Sequence, residues 1–351
     1  MKPVSSKEAV RIPLRSAAMA SAVALLFFPP MTVAAEQSST QFTQRLDLRA
    51  GWNAVYLEVD PLESGPNALF AGLPVDVVAA YVPSPGRAQF VENPQADLLR
   101  AYGWSVWYAP HRSDAFLGTL YAIYGAKAYL VHATTNVQWT VNGAVATEAF
   151  RWTPNAFNFA GFPVAALGGP TFRQFFEASA AHNHNKLYRL VDGTWRQVLD
   201  PGAAVMRSGE AFWIYCDGHS DYPGPLEVRT SSQLGLVLSS QSGSDLVLRN
   251  RTGHPLEVTV EHSTAGNDPV PLSVPVRAFD PDVNKLGTLQ VDLGSGSWVQ
   301  NLPSLEAGAA LCLPFQLRLQ DMTTGTRHSL LKVHTDLGTV SYIAITASRD
   351  D

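Results

Sequence analysis

The sequence predicts a mainly β protein, in which two related small β-rich units with short helices precede an antiparallel β-sandwich. Three observations predict this class. The 26 glycines and 24 prolines separate short apolar runs, which favours many short strands over long helices. One order of strand, short helix, hairpin and strand occurs twice in the first two thirds of the chain. From about residue 233 the pattern changes to regularly spaced runs of alternating apolar residues.

The first 35 residues have the composition of a secretory signal. Four basic residues stand against one acidic residue, and an apolar run extends from Ala17 to Phe28. Val33 and Ala35 occupy the −3 and −1 positions of a cleavage site, so we expect cleavage after Ala35. An uncleaved anchor is the alternative, although the apolar run is shorter than the roughly 20 residues that span a bilayer. We expect an exported protein that is periplasmic, at the cell surface or extracellular, with no membrane span after cleavage.

The charge of the chain argues against two classes of partner. The net charge is −5, and it becomes −8 without the four basic residues and one acidic residue of the signal. Nucleic acids and anionic membranes prefer a basic surface, so neither is expected as the main partner. With 46% hydrophobic and 16% charged residues, the chain is expected to be globular. Only the Gln-, Ser- and Thr-rich residues 36–45 are predicted to form a flexible leader.

The first unit, residues 46–145, opens with LDLRAGWNAVYLEVDP, Leu46 to Pro61. Apolar residues alternate on both sides of Gly51, Trp52 and Asn53, which predicts two half-buried strands that meet at a turn or bulge. Gly51 can adopt a positive φ, and Asn53 can hydrogen-bond its own backbone. Pro61 has no N–H to donate to a ladder, so we expect it to end the second strand.

Further along the first unit, the pattern predicts a helix over 67–73 and strands over 75–82, 98–108 and 137–141, and over 123–132 it predicts a glycine-led turn that leads into a further strand. Trp104, Trp107 and Tyr108 lie in the second of these strands. Aromatic side chains on a sheet can stack on sugar rings, so these three residues are a candidate binding surface. Trp104 and Trp107 lie on opposite faces of the strand, so at least one should be exposed or covered by a neighbouring unit.

The second unit, residues 150–230, repeats this order in the segments 158–164, 171–178, 187–198 and 209–215. Asn158 takes the place of the asparagine in the opening motif. Thr171 is placed to cap a helix that carries phenylalanines at helical spacing. Asp192-Gly193 is typical of a two-residue hairpin turn. Gly209 begins an aromatic strand that corresponds to the one after residue 125.

These motifs resemble a repeat found in secreted and cell-surface proteins of bacteria, in which GWN precedes alternating apolar residues and a later Gly-x-x-aromatic strand follows. The resemblance covers about Leu46 to Thr230. It is clearer in the first copy, because Phe157-Asn158-Phe159 replaces Gly-Trp-Asn in the second. The positions of the motif are Gly51, Trp52, Asn53, Asn158 and Gly209. The resemblance implies an exported, modular protein and carries over no catalytic residue.

The last part, residues 233–349, contains seven alternating runs at the intervals of an antiparallel sandwich. The segment NRTG, residues 250–253, is typical of a hairpin turn. This part is similar to the immunoglobulin-like modules of bacterial exported proteins, although the Cys-Trp-Cys core of antibody domains is missing. The similarity predicts an architecture and no particular function.

No motif of a common enzyme class occurs. H-E-x-x-H, G-x-S-x-G, G-x-x-x-x-G-K-S/T and G-x-G-x-x-G are all missing. His219, Ser220 and Asp221 are adjacent, but neighbours in a loop rarely adopt triad geometry. Glu58 and Asp60 are interpreted as solvated edge charges. We therefore predict no catalytic residue and no cofactor.

Two polar clusters have some features of metal sites. His182 and His184 are two residues apart and could share a metal, but a third ligand is missing, so a solvated loop is favoured. Asp280, Asp282 and Asn284 begin the pattern of a calcium loop, but Lys285 occupies the glycine position, so a turn is favoured. We predict no metal site.

The two cysteines, Cys216 and Cys312, lie in apolar strand-like runs. They could form a disulfide in an exported protein, or each could serve as a small hydrophobic residue. The pattern leaves both interpretations open.

The predicted function is non-enzymatic: adhesion, scaffolding or surface assembly with an envelope or extracellular protein. The alternative is a carbohydrate-binding protein, or a divergent glycan-acting enzyme, which would use the aromatic faces of the two units. The expected partner is therefore a protein or a polysaccharide and not a nucleic acid.

Overall fold

The structure of the protein is a computed structural model. It describes residues 41–82, 103–146, 148, 150–182, 186–263, 269–280, 285–293 and 297–349. Over these residues the chain is mainly β, as predicted, and its two α-helices have four and five residues. None of the helices in these ranges is long and apolar enough to cross a membrane. The expected signal, residues 1–35, and residues 36–40 of the leader lie outside the described residues.

The first part of the chain forms two sheets. Its elements are β1 (Gln41–Leu48), β2 (Gly51–Leu57), β3 (Val59–Pro61), α1 (Pro66–Leu69), β4 (Val75–Tyr81), β5 (Trp104–Tyr108), β6 (Lys127–Ala133) and β7 (Val137–Val145). One sheet has the order β1-β7-β3 and the other β2-β6-β4-β5. The strands on either side of the GWN turn therefore form as predicted, but they lie in different sheets and do not pair with each other.

The leader prediction is wrong for residues 41–45. They belong to β1 and pair with β7 over its whole length, so that Gln41 lies opposite Ala144 and Leu48 opposite Val137. Leu46 and Leu48 point into a core between the two sheets, in which Trp139 is 1% exposed. The alternating burial of these strand residues explains why the segment is ordered despite its polar composition. The second predicted strand ends at Leu57 and not at Pro61, which instead ends the separate short strand β3 in the other sheet.

The second part has one four-stranded sheet. Its elements are β8 (Ala156–Ala160), α2 (Phe172–Phe176), β9 (Leu187–Val191), β10 (Thr194–Gln197) and β11 (Phe212–Cys216). In chain order, β8, β9, β10 and β11 correspond to β2, β4, β5 and β6. With this correspondence, the strand order β10-β9-β11-β8 is the same as β5-β4-β6-β2, and a short helix follows the first strand in both sheets. The two four-stranded sheets therefore share one topology.

Local signals determine the helix and the hairpin of this second part. The Thr171 hydroxyl accepts a hydrogen bond from the Gln174 N–H (3.2 Å), and the Gln174 side chain accepts one from the Thr171 N–H (2.9 Å), which completes a capping box. Asp192 and Gly193 have φ values of 49° and 73°, as a type I′ turn requires. Both predictions from the sequence are confirmed.

An asparagine has the same role at the start of each of these sheets. Asn53 accepts a hydrogen bond from the Arg49 N–H (2.9 Å) and donates to the carbonyls of Arg49 (2.8 Å) and Gly51 (3.0 Å). Asn158 accepts from the Thr153 N–H (2.8 Å) and donates to the carbonyls of Thr153 (3.1 Å) and Ala156 (3.0 Å). Each side chain thus ties the preceding turn to its strand.

Replacing either asparagine by alanine tests this role. Asn158→Ala should lower the free energy of unfolding by about 2 kcal/mol, since Asn158 is 2% exposed and its three hydrogen bonds are buried or part-buried. Asn53→Ala should cost about half as much, because its two hydrogen bonds with Arg49 are exposed to water. Urea denaturation followed by circular dichroism measures both values. Equal losses would contradict burial as the cause of the difference.

The two units pack face to face and form one body. One face of the β2-β6-β4-β5 sheet contacts the second sheet through Trp104, which lies 6.0 Å from Phe159 and 6.2 Å from Trp213 between ring centroids. The Ala211 N–H, just before β11, also donates to the carbonyl of Ala54 in β2 (3.0 Å). The opposite face of the second sheet is covered by α2.

The last part is a two-sheet sandwich. Its strands are β12 (Leu226–Thr230), β13 (Leu236–Ser239), β14 (Ser244–Asn250), β15 (Val258–Ser263), β16 (Leu272–Asp280), β17 (Lys285–Asp292), β18 (Trp298–Asn301), β19 (Ala310–Leu317), β20 (Gly325–Thr335) and β21 (Val340–Arg349). The sheet orders are β12-β14-β19-β16-β17 and β13-β21-β20-β15-β18. All seven predicted runs form strands, and β12, β16 and β18 are additional.

The topology is immunoglobulin-like, as predicted. The strands β12-β14-β19-β16 correspond to the ABED sheet of that fold, and β15-β20-β21 correspond to CFG. The sandwich begins at Leu226 and not at 233, because β12 pairs with β14. The prediction of a hairpin turn at residues 250–253 is wrong, since β14 and β15 lie in different sheets.

The sandwich contacts both preceding units. The Ala165 N–H donates to the Gly338 carbonyl (2.8 Å), and the Val340 N–H donates to the Pro163 carbonyl (3.2 Å). From the first unit, the Phe42 ring lies 4.7 Å from the Tyr342 ring of β21. The three parts therefore meet near the start of β21.

Candidate functional site

The segment between β5 and β6, residues 109–126, presents four large apolar side chains to solvent. Phe116 is 82% exposed, Tyr121 80%, Tyr124 50% and Leu117 44%. We call this segment the aromatic loop. Single exposed apolar residues are ordinary on a protein surface, but four within nine residues are typical of an interaction site.

A charged network holds the start of the aromatic loop. Arg112 donates two hydrogen bonds to Asp114 (2.8 Å each) and a third to Asp76 at the start of β4 (2.9 Å). Asp76 also contacts His132 Nδ1 of β6 at 2.5 Å. The Arg112 guanidinium lies 5.2 Å from the centre of the Tyr108 ring. The loop is thereby connected to three neighbouring strands.

The middle and the end of the loop are held by further hydrogen bonds. The Thr119 N–H donates to the Val106 carbonyl of β5 (2.7 Å), and the Ile123 N–H donates to the Ser64 carbonyl (2.8 Å). Ile123 is fully buried and anchors the loop to the first core. The Gly125 N–H donates to Asp60 Oδ1 (2.7 Å). The backbone is therefore fixed on both sides of the exposed aromatic side chains.

The ionisation of these groups favours the fixed loop. Hydrogen bonds from Arg112 lower the pKa of the Asp114 carboxyl, and the same hydrogen bonds raise the pKa of Arg112. Burial raises the pKa of Tyr129 to about 12, so its hydroxyl stays protonated at neutral pH. That hydroxyl accepts from the Tyr124 N–H (2.9 Å) and donates to the Tyr124 carbonyl (3.1 Å).

The predicted stacking surface is wrong for Trp104 and Trp107. Trp104 is 8% exposed because the second sheet covers it, and Trp107 is 6% exposed in the first core, where its Nε1 donates to Asn67 Oδ1 (2.8 Å). Tyr108 is half-buried beneath Arg112. The two tryptophans do lie on opposite faces of β5, but each face is covered, so neither ring is available to a sugar.

The motif residues have structural roles. Gly51 adopts a φ of 94° at the turn before β2, and Trp52 is half-buried with its ring 5.1 Å from that of His132. Gly209 adopts a φ of 70°, and a Cβ at this position would overlap the Leu46 side chain. Gly209 therefore allows the second unit to approach β1 closely.

The histidine cluster is not a solvated loop at its first residue. His182 is 7% exposed and packs 3.9 Å from the Trp152 ring, and burial lowers its pKa to about 4. Residues 183–185 and 281–284 lie outside the described residues, and His184, Asp282 and Asn284 are among them. Asp280 ends β16 and pairs with Lys285 at the start of β17. Within the described ranges, no group of three or more His, Cys, Asp and Glu side chains is arranged to hold a metal.

The interpretation of Glu58 as a solvated charge is wrong, because it is only 7% exposed. Asp60 is exposed, as expected, although its carboxylate holds the aromatic loop at Gly125. In the adjacent His-Ser-Asp run, the Ser220 hydroxyl accepts from the Tyr222 N–H (3.2 Å), and Asp221 lies 3.9 Å from Arg251. These residues thus have separate partners.

Both cysteines are free thiols in the structure. Cys216 is buried and its thiol donates to the Gly218 carbonyl (3.3 Å), whereas Cys312 is exposed on β19. Burial raises the pKa of the Cys216 thiol, and partial desolvation together with the nearby Asp245 carboxylate raises that of the Cys312 thiol.

Sequence reasoning missed the aromatic loop, because exposed and buried apolar residues have the same appearance in a sequence. One signal was present. The run AFLGTLYAIYG, residues 115–125, is rich in large apolar residues but follows neither a two-residue nor a 3.6-residue period.

Comparison with known proteins does not identify the chain. No protein-family model and no curated protein matches it. A chain of the Salmonella enterica SafA pilin complex with the SafB chaperone is 15% identical, with 35% of this chain and 53% of that chain covered and a TM-score of 0.22. This chain therefore spans about half the length of that one.

Two other solved structures match most of this chain. The Enterococcus faecalis MSCRAMM ACE, described as binding its ligands by the collagen Hug model, is 8% identical, with 89% of this chain and 84% of that chain covered and a TM-score of 0.22. Escherichia coli alpha-2-macroglobulin is 11% identical, with 89% of this chain and 33% of that chain covered and a TM-score of 0.21. At these values the likenesses carry no argument about function.

Proposed function

We propose that this chain is a non-enzymatic, exported binding protein, which docks a protein of the cell envelope or extracellular space through the aromatic loop. The observation that carries the proposal is the set of exposed side chains, Phe116, Leu117, Tyr121 and Tyr124, on a backbone fixed by hydrogen bonds. Aromatic side chains provide large contact areas and are enriched among the residues that dominate binding energy.

The fixed backbone makes the loop an effective docking element. A segment that becomes ordered on binding loses conformational entropy, which weakens the complex. The aromatic loop is already held at Arg112, Thr119, Ile123 and Gly125, so little backbone entropy remains to be lost.

The chemistry of the loop favours a protein partner over a polysaccharide. Sugar sites supply polar groups aimed at hydroxyls, in addition to an aromatic platform. The charged groups at the loop, Arg112, Asp114 and Asp76, are hydrogen-bonded to one another. An apolar surface with paired charges at one end, and with the Lys127 ammonium 5.2 Å from the centre of the Tyr124 ring at the other, matches the core and rim of a protein interface.

The test compares the purified exported protein with its Phe116→Ala/Tyr121→Ala double variant as bait for solubilised native envelope. We expect one stoichiometric protein partner, whose affinity falls at least 30-fold, or by about 2 kcal/mol, in the double variant. The fold should be unaffected, since both side chains are more than three quarters exposed. A photo-crosslinking residue at position 121 should label the same partner.

The control is Leu167→Ala/Leu199→Ala, which removes two side chains that are 91% and 84% exposed in the second unit. This variant should capture the partner as the wild type does. Bound polysaccharide without a protein would contradict the proposal, as would capture that is equal for the wild type and the loop variant.

A further inference from the structure

Glu58 lies at the point where the three parts of the chain meet. It follows β2, its N–H donates to Gln44 Oε1 of β1 (2.9 Å), and its carbonyl accepts from the Ala146 N–H (2.9 Å). Its side chain is 7% exposed. The first part therefore holds the Glu58 backbone rigidly and directs the carboxyl into the interior.

The second part reaches the same place through the segment before β11. The Tyr56 N–H donates to the Gly209 carbonyl (2.8 Å), and the Ser208 side chain hydrogen-bonds the Glu58 carboxyl. Together with the Ala211 hydrogen bond to β2, these contacts join the second unit to β2, the edge strand of the β2-β6-β4-β5 sheet. We call this region the three-part junction; it comprises Glu58 with Gln44, Tyr56, residues 208–211 and Tyr342.

The third part contributes Tyr342 of β21. Burial raises the pKa of Tyr342 to about 12, and the nearby carboxylates of Glu58 and Glu261 add to this effect. The sandwich therefore lies close enough to the buried carboxyl for its charge to act on Tyr342. The contact of Tyr342 with the Phe42 ring extends the same interface.

The Glu58 carboxyl has few compensating contacts. Within the described residues its Oε1 makes no hydrogen bond, and no Lys or Arg forms an ion pair with it. An ionised carboxylate in this setting is unfavourable, because water is excluded and no opposite charge replaces it. Burial accordingly raises the pKa of Glu58 to about 7, and the Ser208 hydrogen bond opposes this only in part.

The other charged groups around the junction are neutral or paired. Burial also raises the pKa of Tyr56, so both phenols stay neutral in the physiological range. Glu210, next to Gly209, is paired with Arg189 at 2.5 Å. Glu261, on the far side of Tyr342, is paired with Lys332 at 3.2 Å. Glu58 is therefore the unpaired acidic group of the junction in the described structure.

We propose that protonation of Glu58 controls the packing of the three-part junction. The junction is closed while the Glu58 carboxyl is protonated, and it loosens when the proton is lost. The neutral carboxyl tolerates burial. The carboxylate needs more water than the 7% exposed side chain meets in the closed junction, and movement of residues 208–211 or Tyr342 away from β2 would supply it. The proposal is independent of the docking function, since it concerns contacts within the chain.

Amide hydrogen exchange of the exported protein tests whether the three-part junction opens as the pH rises. The probes are the N–H groups of Tyr56 and Ala211, which hold the second unit on β2, and the reference is the β20–β21 hairpin. After correction for intrinsic rates, opening at the probes should increase at least tenfold from pH 5.5 to pH 8, while the reference stays constant. Opening that is independent of pH in the wild type would overturn the proposal without any variant.

The variants identify the group that is responsible. Glu58→Gln keeps the shape but cannot ionise, so its junction should stay closed at both pH values. Glu210→Gln is the matched control, because it removes a paired carboxylate from the same junction and should retain the wild-type pH dependence. An unchanged pH dependence in Glu58→Gln would assign the effect to another group and overturn the proposal.

Discussion

Replacing Trp213 by alanine is expected to lower the free energy of unfolding by about 3 to 5 kcal/mol. Trp213 is fully buried between the two four-stranded sheets. Its ring stacks on Phe159 at 5.0 Å and lies 4.8 Å from Tyr81 and 6.2 Å from Trp195. Alanine would leave a cavity lined by these rings, which cannot close without moving one sheet against the other. Urea denaturation followed by far-ultraviolet circular dichroism measures the loss.

The control for Trp213→Ala is Leu167→Ala, whose side chain is 91% exposed and should change stability by less than about 0.5 kcal/mol. A loss below 1 kcal/mol in Trp213→Ala would contradict the face-to-face packing of the two units. The result bears directly on function, since the same packing removes Trp104 from any sugar-binding surface.

The second large effect is on the pH dependence of stability. The pKa of Glu58 is raised from 4.5 to about 7 in the folded protein, so the folded state keeps a proton that the unfolded state releases. The stability that this proton supplies is complete below pH 4.5 and is lost as the pH rises through 7. Glu58 is only 7% exposed, which leaves little solvent screening, so the loss should reach about 3 kcal/mol.

Glu58→Gln isolates this contribution. The free energy of unfolding of the variant, minus that of the wild type, should increase by about 3 kcal/mol as the pH rises from 4.5 to 8, because the amide does not ionise. Urea midpoints measured at intervals of half a pH unit give the difference curve. A flat difference curve would mean that Glu58 has an ordinary pKa, and a curve of opposite sign would mean that a cation stabilises its carboxylate.

Most individual strands could be predicted from the sequence, because their signals are local. The Asp192-Gly193 turn needs two positive φ values, and the Thr171 cap needs a hydroxyl three residues before Gln174. The strands that escaped prediction have weaker patterns. β16 contains Pro275 next to apolar residues, and β18 has only four residues.

The candidate site could not be predicted in the same way. Phe116 and Tyr121 are exposed, whereas Trp104 and Trp107 are buried, although all four are large and lie within 18 positions of one another. Their exposure depends on what covers each face of β5 and of the loop after it. Those neighbours come from distant parts of the chain, and a single sequence does not show which segments meet.

Local sequence patterns predict the mainly β class, the positions of most strands, the immunoglobulin-like sandwich and the turn and cap residues. Each depends on side-chain periodicity or backbone preference over a few residues. Contacts between distant segments place β1 and β2 in different sheets, give the two units a shared core and bury Glu58 at their junction with the sandwich. These features depend on pairing between distant strands and on the exclusion of water between packed faces, which local patterns do not encode.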